Sequence, residues 1–290
     1  MAGERLKYVT AVVLYGTVGT FLRLIDLPSA AVALGRGAIG AAFLLLYLHA
    51  RGRSPDRAAI RANLRLLLLS GVLLGLNWIF LFAAYVETSV AVASLCNYMA
   101  PILVILLAPA LLREKPDRRK LPFVAMALAG IVLVSGVTDG GGGSAKGVAL
   151  GLAGAVCFAA LVLCNRALRG VAAMDRALVQ LAVSAATILP YVLLTCPAAT
   201  LQADARSILL TLMLGVVHTG FAYCLYFSGM ATLPVQTVAI LGYLEPVVSV
   251  LCSAVVLREP MSAAGWIGAV LILSAAALSE LLPERPAEET

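Results

Sequence analysis

The chain has 290 residues, of which 62% are hydrophobic and 12% charged, with a mean hydropathy of +1.00 and a formal net charge of +6. Soluble domains carry roughly 45–50% apolar and about 25% charged residues. A soluble domain is excluded at this length, and the composition is that of an integral membrane protein.

Runs without Asp, Glu, Lys or Arg cover residues 66–86, 88–112, 121–138, 147–165, 177–203, 207–244 and 260–279. About 20 helical residues cross a hydrocarbon core, and none of these runs shows the period-2 alternation of a membrane barrel. Ten helical spans are therefore predicted. The first, 8–25, is long, carries Arg23 and leads straight into more spans, so it is not a cleavable signal peptide. Span 2, 29–48, contains Arg36 about a turn and a half to two turns from its outer end, and His49 closes its inner end. Arg57, Arg61 and Arg65 then repeat every four residues and line one helix face, suited to anionic headgroups.

Span 3, 66–86, carries Asn77 and Trp78, and Glu87 sits in the short turn that follows it. Span 4, 88–112, carries Asn97, Tyr98 and Pro101, and span 5 covers 121–137. After GGGGS at 140–144 come span 6 at 147–165, span 7 at 177–195 and span 8 at 207–228 with His218, Tyr223 and Tyr226. GMATLP, 229–234, divides the 38-residue run, so span 9 is placed at 234–257 with Gln236, Tyr243, Glu245 and Pro246; span 10 is 261–282.

Cytoplasmic loops are enriched in Lys and Arg. With both termini inside, inner segments hold Arg5, Lys7, Arg51, Arg53, Arg57, Arg61, Arg65, Arg113, Lys115, Arg118, Arg119, Lys120, Arg166, Arg169, Arg176 and Arg285. Outer segments hold only Arg23, Lys146, Arg206 and Arg258. The positive charge therefore meets lipid, and no ring-interleaved basic surface points to nucleic acid.

A shift of 145 residues pairs Gly75 with Gly220, Phe82 with Phe227, Tyr98 with Tyr243, Pro101 with Pro246, and Leu112-Arg113-Glu114 with Leu257-Arg258-Glu259, without a gap. The chain reads as two units, 1–139 and 147–290, joined by the Gly-rich segment 140–146. Five spans per unit is odd, so the second unit enters from the opposite side. Inverted repeats are the architectural basis of alternating access. The predicted fold class is an all-α polytopic membrane protein with ten helices in two inverted five-helix repeats around a central cavity.

LGRGAIGA (34–41), AYVETSVAVAS (84–94), the Pro of YMAPI, and YLEPVVSVL (243–251) followed by LREP resemble the EamA-like family of the drug/metabolite transporter superfamily over essentially the whole chain. The resemblance implies a ten-helix fold with a central substrate cavity and, usually, export of small metabolites or drugs. Many arginines and alanines without a sorting signal suggest a bacterial plasma (inner) membrane.

Glu245 falls near the middle of span 9, where a charged side chain costs at least about 2.5–3.5 kcal/mol. It is tolerable as a neutral acid held by a neighbouring helix, or facing a watery cavity. Pro246 lacks an N–H and frees a carbonyl one turn back; broken helices at this depth are tolerated where they line a cavity. Glu245 and Arg36 are candidates for the two ends of a zwitterion, although Arg36 also lies where it can snorkel to the interface. Asn77, Trp78, Asn97, Tyr98, Tyr223, Gln236 and Tyr243 are candidate substrate contacts, Pro101 and Pro246 candidate helix breaks, and Glu245 with His218 candidate coupling residues; packing is the competing role for each ring.

Cys96, Cys157, Cys164, Cys196, Cys224 and Cys252 form no CxxC pattern, so no metal site or disulfide is expected. No phosphate loop and no catalytic constellation is present, so neither ATP-driven pumping nor an intramembrane enzyme is indicated. The expectation is a secondary transporter, a monomer or homodimer without cofactor, for amino acids or related neutral or zwitterionic metabolites. The alternative is a broad drug or organic-cation exporter.

Overall fold

Long apolar runs have no water to bond their backbone groups, so in a membrane they close their hydrogen bonds internally as helix. The computed structural model describes residues 2–112, 118–134, 144–233 and 235–281, apart from the side chains of 2, 107–112, 118, 235, 236, 239, 240 and 280. The helices are α1 (Ala2–Arg23), α2 (Ser29–Ala50), α3 (Arg57–Ala62), α4 (Leu64–Glu87), α5 (Val90–Asn97), α6 (Ala100–Leu112) and α7 (Leu121–Val134). They continue with α8 (Ala145–Ala167), α9 (Ala173–Thr195), α10 (Ala205–Gly215), α11 (Ala222–Met230), α12 (Val235–Gly242), α13 (Leu244–Leu251) and α14 (Ala263–Leu281). No strand occurs among the described residues.

Among the described residues, helix occurs within each predicted span. Among the described residues, α2, α4, α8, α9 and the continuous segment Ala205–Met230 are long and apolar enough to cross a membrane, and shorter apolar helices cover Val90–Leu106, Leu121–Val134, Leu244–Val256 and Ala263–Ser279. Apolar side chains such as Leu46, Leu193, Leu194 and Val255 face outward; lipid tails accept them at no cost. The chain is a multi-pass helical membrane protein.

Three departures from plain helix shape its middle. Predicted span 4 divides into α5 and α6 around Tyr98, and span 9 into α12 and α13 at Tyr243. The two tyrosines have nearly the same backbone, φ −71° and ψ 0° for Tyr98 and φ −71° and ψ −7° for Tyr243. Pro101 and Pro246 follow in the first turns of α6 and α13, where a missing N–H costs no helical bond. Between α10 and α11, Val216–Phe221 is π-helical. The linker segment 140–143 and the Arg113-Glu114 pair lie outside the described residues.

Glycines let the backbones approach. A Cβ on Gly71 would meet Val183 at 2.5 Å and one on Gly75 the Ser184 carbonyl at 3.0 Å, bringing α4 onto α9. Gly130 of α7 and Gly268 of α14 press on each other's carbonyls. Gly16 of α1 lies against the first turn of α13, where a Cβ would stand 2.5 Å from the Glu245 carbonyl oxygen and 2.7 Å from the Val248 Cβ. Backbone cannot swing aside as a flexible side chain does. Gly16→Ala is therefore expected to cost about 1–3 kcal/mol, read as a lowered unfolding midpoint in detergent with a thiol-reactive dye on the buried native cysteines; an unchanged midpoint contradicts it.

Candidate functional site

A cavity of about 530 Å³ lies between the helices. Along its long dimension it is bounded by α1, α2, α4, α8, α9, α11 and the two broken pairs, through Tyr8, Tyr15, Arg36, Asn77, Trp78, Tyr85, Asn97, Tyr98, Asn165, Arg176, Gln180, Tyr223, Tyr226, Tyr243 and Glu245. That volume suits a small organic molecule.

Arg36 and Glu245 line the same cavity. Arg36 is 7% exposed, and its guanidinium carbon stands 4.4 Å from the centre of the Trp78 ring and 5.9 Å from that of Phe82. Its Nε donates to Thr219 Oγ1 at 2.8 Å. Thr219 belongs to the π-helical turn and donates in its own right to the Leu214 carbonyl at 2.9 Å, which fixes its oxygen toward Arg36. Stacking and a single Nε bond hold the guanidinium flat, and its two terminal nitrogens have no acceptor among the described residues. A planar fork held from behind is the geometry that takes a carboxylate with two parallel bonds.

Glu245 occupies the first turn of α13, directly after the break at Tyr243. Tyr98, at the other break, lines the same cavity as Glu245. No ion pair within 4 Å joins Glu245 to Arg36. The two charges thus face one space without cancelling each other.

Asn77 and Asn97 are largely spoken for: Asn77 Nδ2 donates to Asn97 Oδ1 and to the Gly154 carbonyl, both at 2.9 Å. These bonds pin the end of α5 to α4 and α8, so the amides fix the break as well as lining the cavity. Trp78, Tyr98, Tyr223 and Tyr243 line the cavity. The Gln236 side chain lies outside the described residues. His218 is not in the lining. It is 1% exposed, with Nε2 3.1 Å from Thr17 Oγ1, Nδ1 3.4 Å from the Met213 carbonyl and its ring 4.8 Å from Phe21. His49 is exposed at the end of α2, and Glu87 pairs with Lys146 at 2.6 Å.

The sequence reading missed Tyr8, Tyr15, Tyr85, Asn165, Arg176 and Gln180 in the wall. Spacing contained a signal for some of them. Tyr8, Val12 and Tyr15 fall at i, i+4 and i+7 on α1, and Arg176 and Gln180 at i and i+4 on α9, each pair on one helix face. Gln180 Nε2 donates to Ser70 Oγ and to Asn165 Oδ1, both at 2.7 Å. The Tyr15 hydroxyl is buried in the wall with no protein partner among the described residues.

The cavity extends toward the end of the bundle that holds the start of α1, the Arg53–Asp175 pair and the Asn63–Arg169 contact. At the opposite end the helices are tied shut. Arg23 Nη2 lies 3.0 Å from Glu259 Oε1 and donates to the Thr88 carbonyl at 2.7 Å; Glu259 Oε2 accepts from the Val90 N–H at 2.8 Å and from Ser253 Oγ at 2.6 Å. None of these residues belongs to the lining.

A multi-pass helical membrane protein with a polar, ring-walled cavity closed at one end has the architecture of a small-molecule carrier. The chain belongs to the EamA-like transporter family, which matches residues 6–136 and again 145–281. It is 24% identical to the uncharacterized transporter YxxF of Bacillus subtilis over 94% of this chain and 88% of that protein. It is 30% identical to an uncharacterized transporter of Archaeoglobus fulgidus over 92% of each, and 28% identical to protein PecM of Dickeya dadantii over 73% of this chain and 71% of that one. A crystal structure 24% identical in sequence superposes with a TM-score of 0.66 over 97% of this chain and 99% of the other, which shows a shared fold.

Proposed function

We propose that this membrane transporter carries small carboxylate-bearing metabolites, amino acids or related compounds, out of a bacterial cell by alternating access. The observation that carries this reading is Arg36, stacked on Trp78 with two unused donors inside the cavity. Glu245 across the same space is the site for a coupling proton. Membership of the EamA-like transporter family supports carriage of the substrate over its chemical conversion.

In this reading the chain is two inverted five-helix repeats, 1–139 and 147–290, with both termini cytoplasmic. The separate family match to each half and the equivalent breaks at Tyr98 and Tyr243 support it. The basic end then faces the cytoplasm, where Arg57 and Arg61 on α3 and Arg65 at the start of α4 meet anionic headgroups. The cavity extends toward that side and the Arg23–Glu259 end faces out, which fits loading from inside and export.

Proteoliposomes with a panel of amino acids and organic cations test this. Saturable, counterflow-competent movement of an amino acid is expected; flux restricted to the cations overturns it. Arg36→Lys keeps the charge but loses the fork. One charge-assisted hydrogen bond less, about 1.5 kcal/mol, predicts a roughly tenfold higher KM for the carboxylate substrate with little change in maximal rate.

A further inference from the structure

The charges in the cavity do not balance. Among the described lining residues the fixed charges are Arg36, Arg176 and Glu245. Arg176 follows Asp175 in the first turn of α9, yet that carboxylate is committed elsewhere. It is buried and accepts from Arg53 Nη2 at 3.4 Å and from the Asp56 N–H at 3.1 Å. Among the described residues no carboxylate stands within ion-pair distance of Arg176. Gln180, one turn further along α9, lines the same cavity, so Arg176 belongs to the cavity-facing stripe of the helix.

The two arginines stand at different depths. Gly37, next to Arg36, packs on Ser184 and Ala185 of α9. Ser184 is eight residues beyond Arg176, an axial offset of about 12 Å at 1.5 Å per residue. Arg36 therefore sits deep and Arg176 near the basic end, from which a substrate enters. Low-dielectric walls lined by one sign of charge focus the field and concentrate counter-ions. With two cations against one carboxylate, a molecule of net charge −1 restores neutrality, whereas an organic cation meets like charge at the mouth and again at the bottom.

We infer that Arg176 is a selectivity residue that makes the cavity prefer net-anionic organic acids with an apolar or ring-bearing body over their neutral and cationic counterparts. The inference rests on the cavity being the transport site. It settles the charge class of the substrate and opposes the organic-cation alternative.

Trp78 provides the test. The chain has two tryptophans, and Trp266 is 40% exposed on the outer face of α14, so Trp266→Phe leaves the cavity ring as the reporter. In neutral detergent at low salt, quenching by iodide, caesium and uncharged acrylamide is compared. Acrylamide is expected to reach Trp78, and iodide to quench it better than caesium. Arg176→Gln should lower the iodide-to-caesium ratio about threefold, the effect of one unit charge at this range in a partly aqueous space. Arg176→Lys should hold the ratio, and neither variant should alter acrylamide quenching. Equal quenching by the two ions, or a ratio untouched by Arg176→Gln, overturns the inference. Failure of acrylamide to reach the ring overturns the reading of the cavity itself. In liposomes, 4-methylpentanoate should compete better than leucine, and leucine better than 3-methylbutylamine; the reverse order overturns the selectivity.

Discussion

Glu245→Gln is expected to abolish substrate-linked proton movement while leaving substrate binding within about twofold of the natural protein. The substitution keeps the size and shape of the side chain and removes its capacity to release a proton. Glu245 has the position that coupling needs. It lies in the first turn of α13 beside the break at Tyr243, faces the cavity rather than lipid, and is not ion-paired among the described residues. A carboxyl placed there costs several kcal/mol unless it is neutral or reached by water and substrate, so in the proposed function its occupancy by a proton and the presence of a substrate are linked. With pyranine inside the vesicles, the natural protein should acidify or alkalinise the lumen as substrate moves, and Glu245→Gln should reduce that signal at least tenfold. If both carry the same substrate equally without proton movement, coupling through Glu245 is wrong. The carboxyl then serves as a hydrogen-bonded wall of a facilitator.

The class and the helix positions were legible because they depend on one-dimensional quantities. Charge-free runs mark spans, arginine asymmetry marks an end, and a Pro within a span marks a weak point. The breaks at Tyr98 and Tyr243 nonetheless fall three residues before the prolines, because a proline fits the first turn of a new helix better than the middle of an old one. The π-helical turn at Val216–Phe221 left no comparable trace. It arises where Gly215, Thr219 and Gly220 meet Ile39, Gly40 and Phe43 of α2, a contact between segments far apart in sequence.

The site was legible to the extent that its residues are unusual in a membrane. Arg36 and Glu245 stand out as charges, and the structure brings them into one cavity. His218 stood out for the same reason, but it packs between α1 and the π-helical turn, its ring nitrogens near Thr17 and Met213. Composition cannot separate the two cases; only the neighbours do. Arg176 was lost among the basic residues of an inner loop, since an arginine at a helix end looks the same whether it faces headgroups or a cavity.

Loss of the Arg23–Glu259 tie is expected to open the end of the bundle opposite the cavity mouth. Glu259 joins three pieces: the end of α1 through Arg23, the start of α5 through the Val90 N–H, and the π-helical stretch Cys252–Val256 through Ser253. For the cavity to face the other side, those pieces have to part. Alternating access between two states is set by a few kcal/mol, and each 1.4 kcal/mol changes their ratio tenfold. Hydrogen bonds to a charged group contribute about 1.5–3 kcal/mol when sheltered, and this ion pair is partly exposed, so it is worth less than the upper end. Arg23→Ala is expected to raise the open population about threefold to tenfold, and Glu259→Ala tenfold or more. Hydrogen–deuterium exchange reads this at amides from Ala91 to Ser94, which do not bond to Glu259 directly. If the tie is one device, Arg23→Ala adds little to a protein already carrying Glu259→Ala, because the second substitution finds nothing left to break. Exchange in α5 that stays at the natural rate in both single variants, or effects that simply add, would show that this end is held shut by helix packing and not by the ion pair.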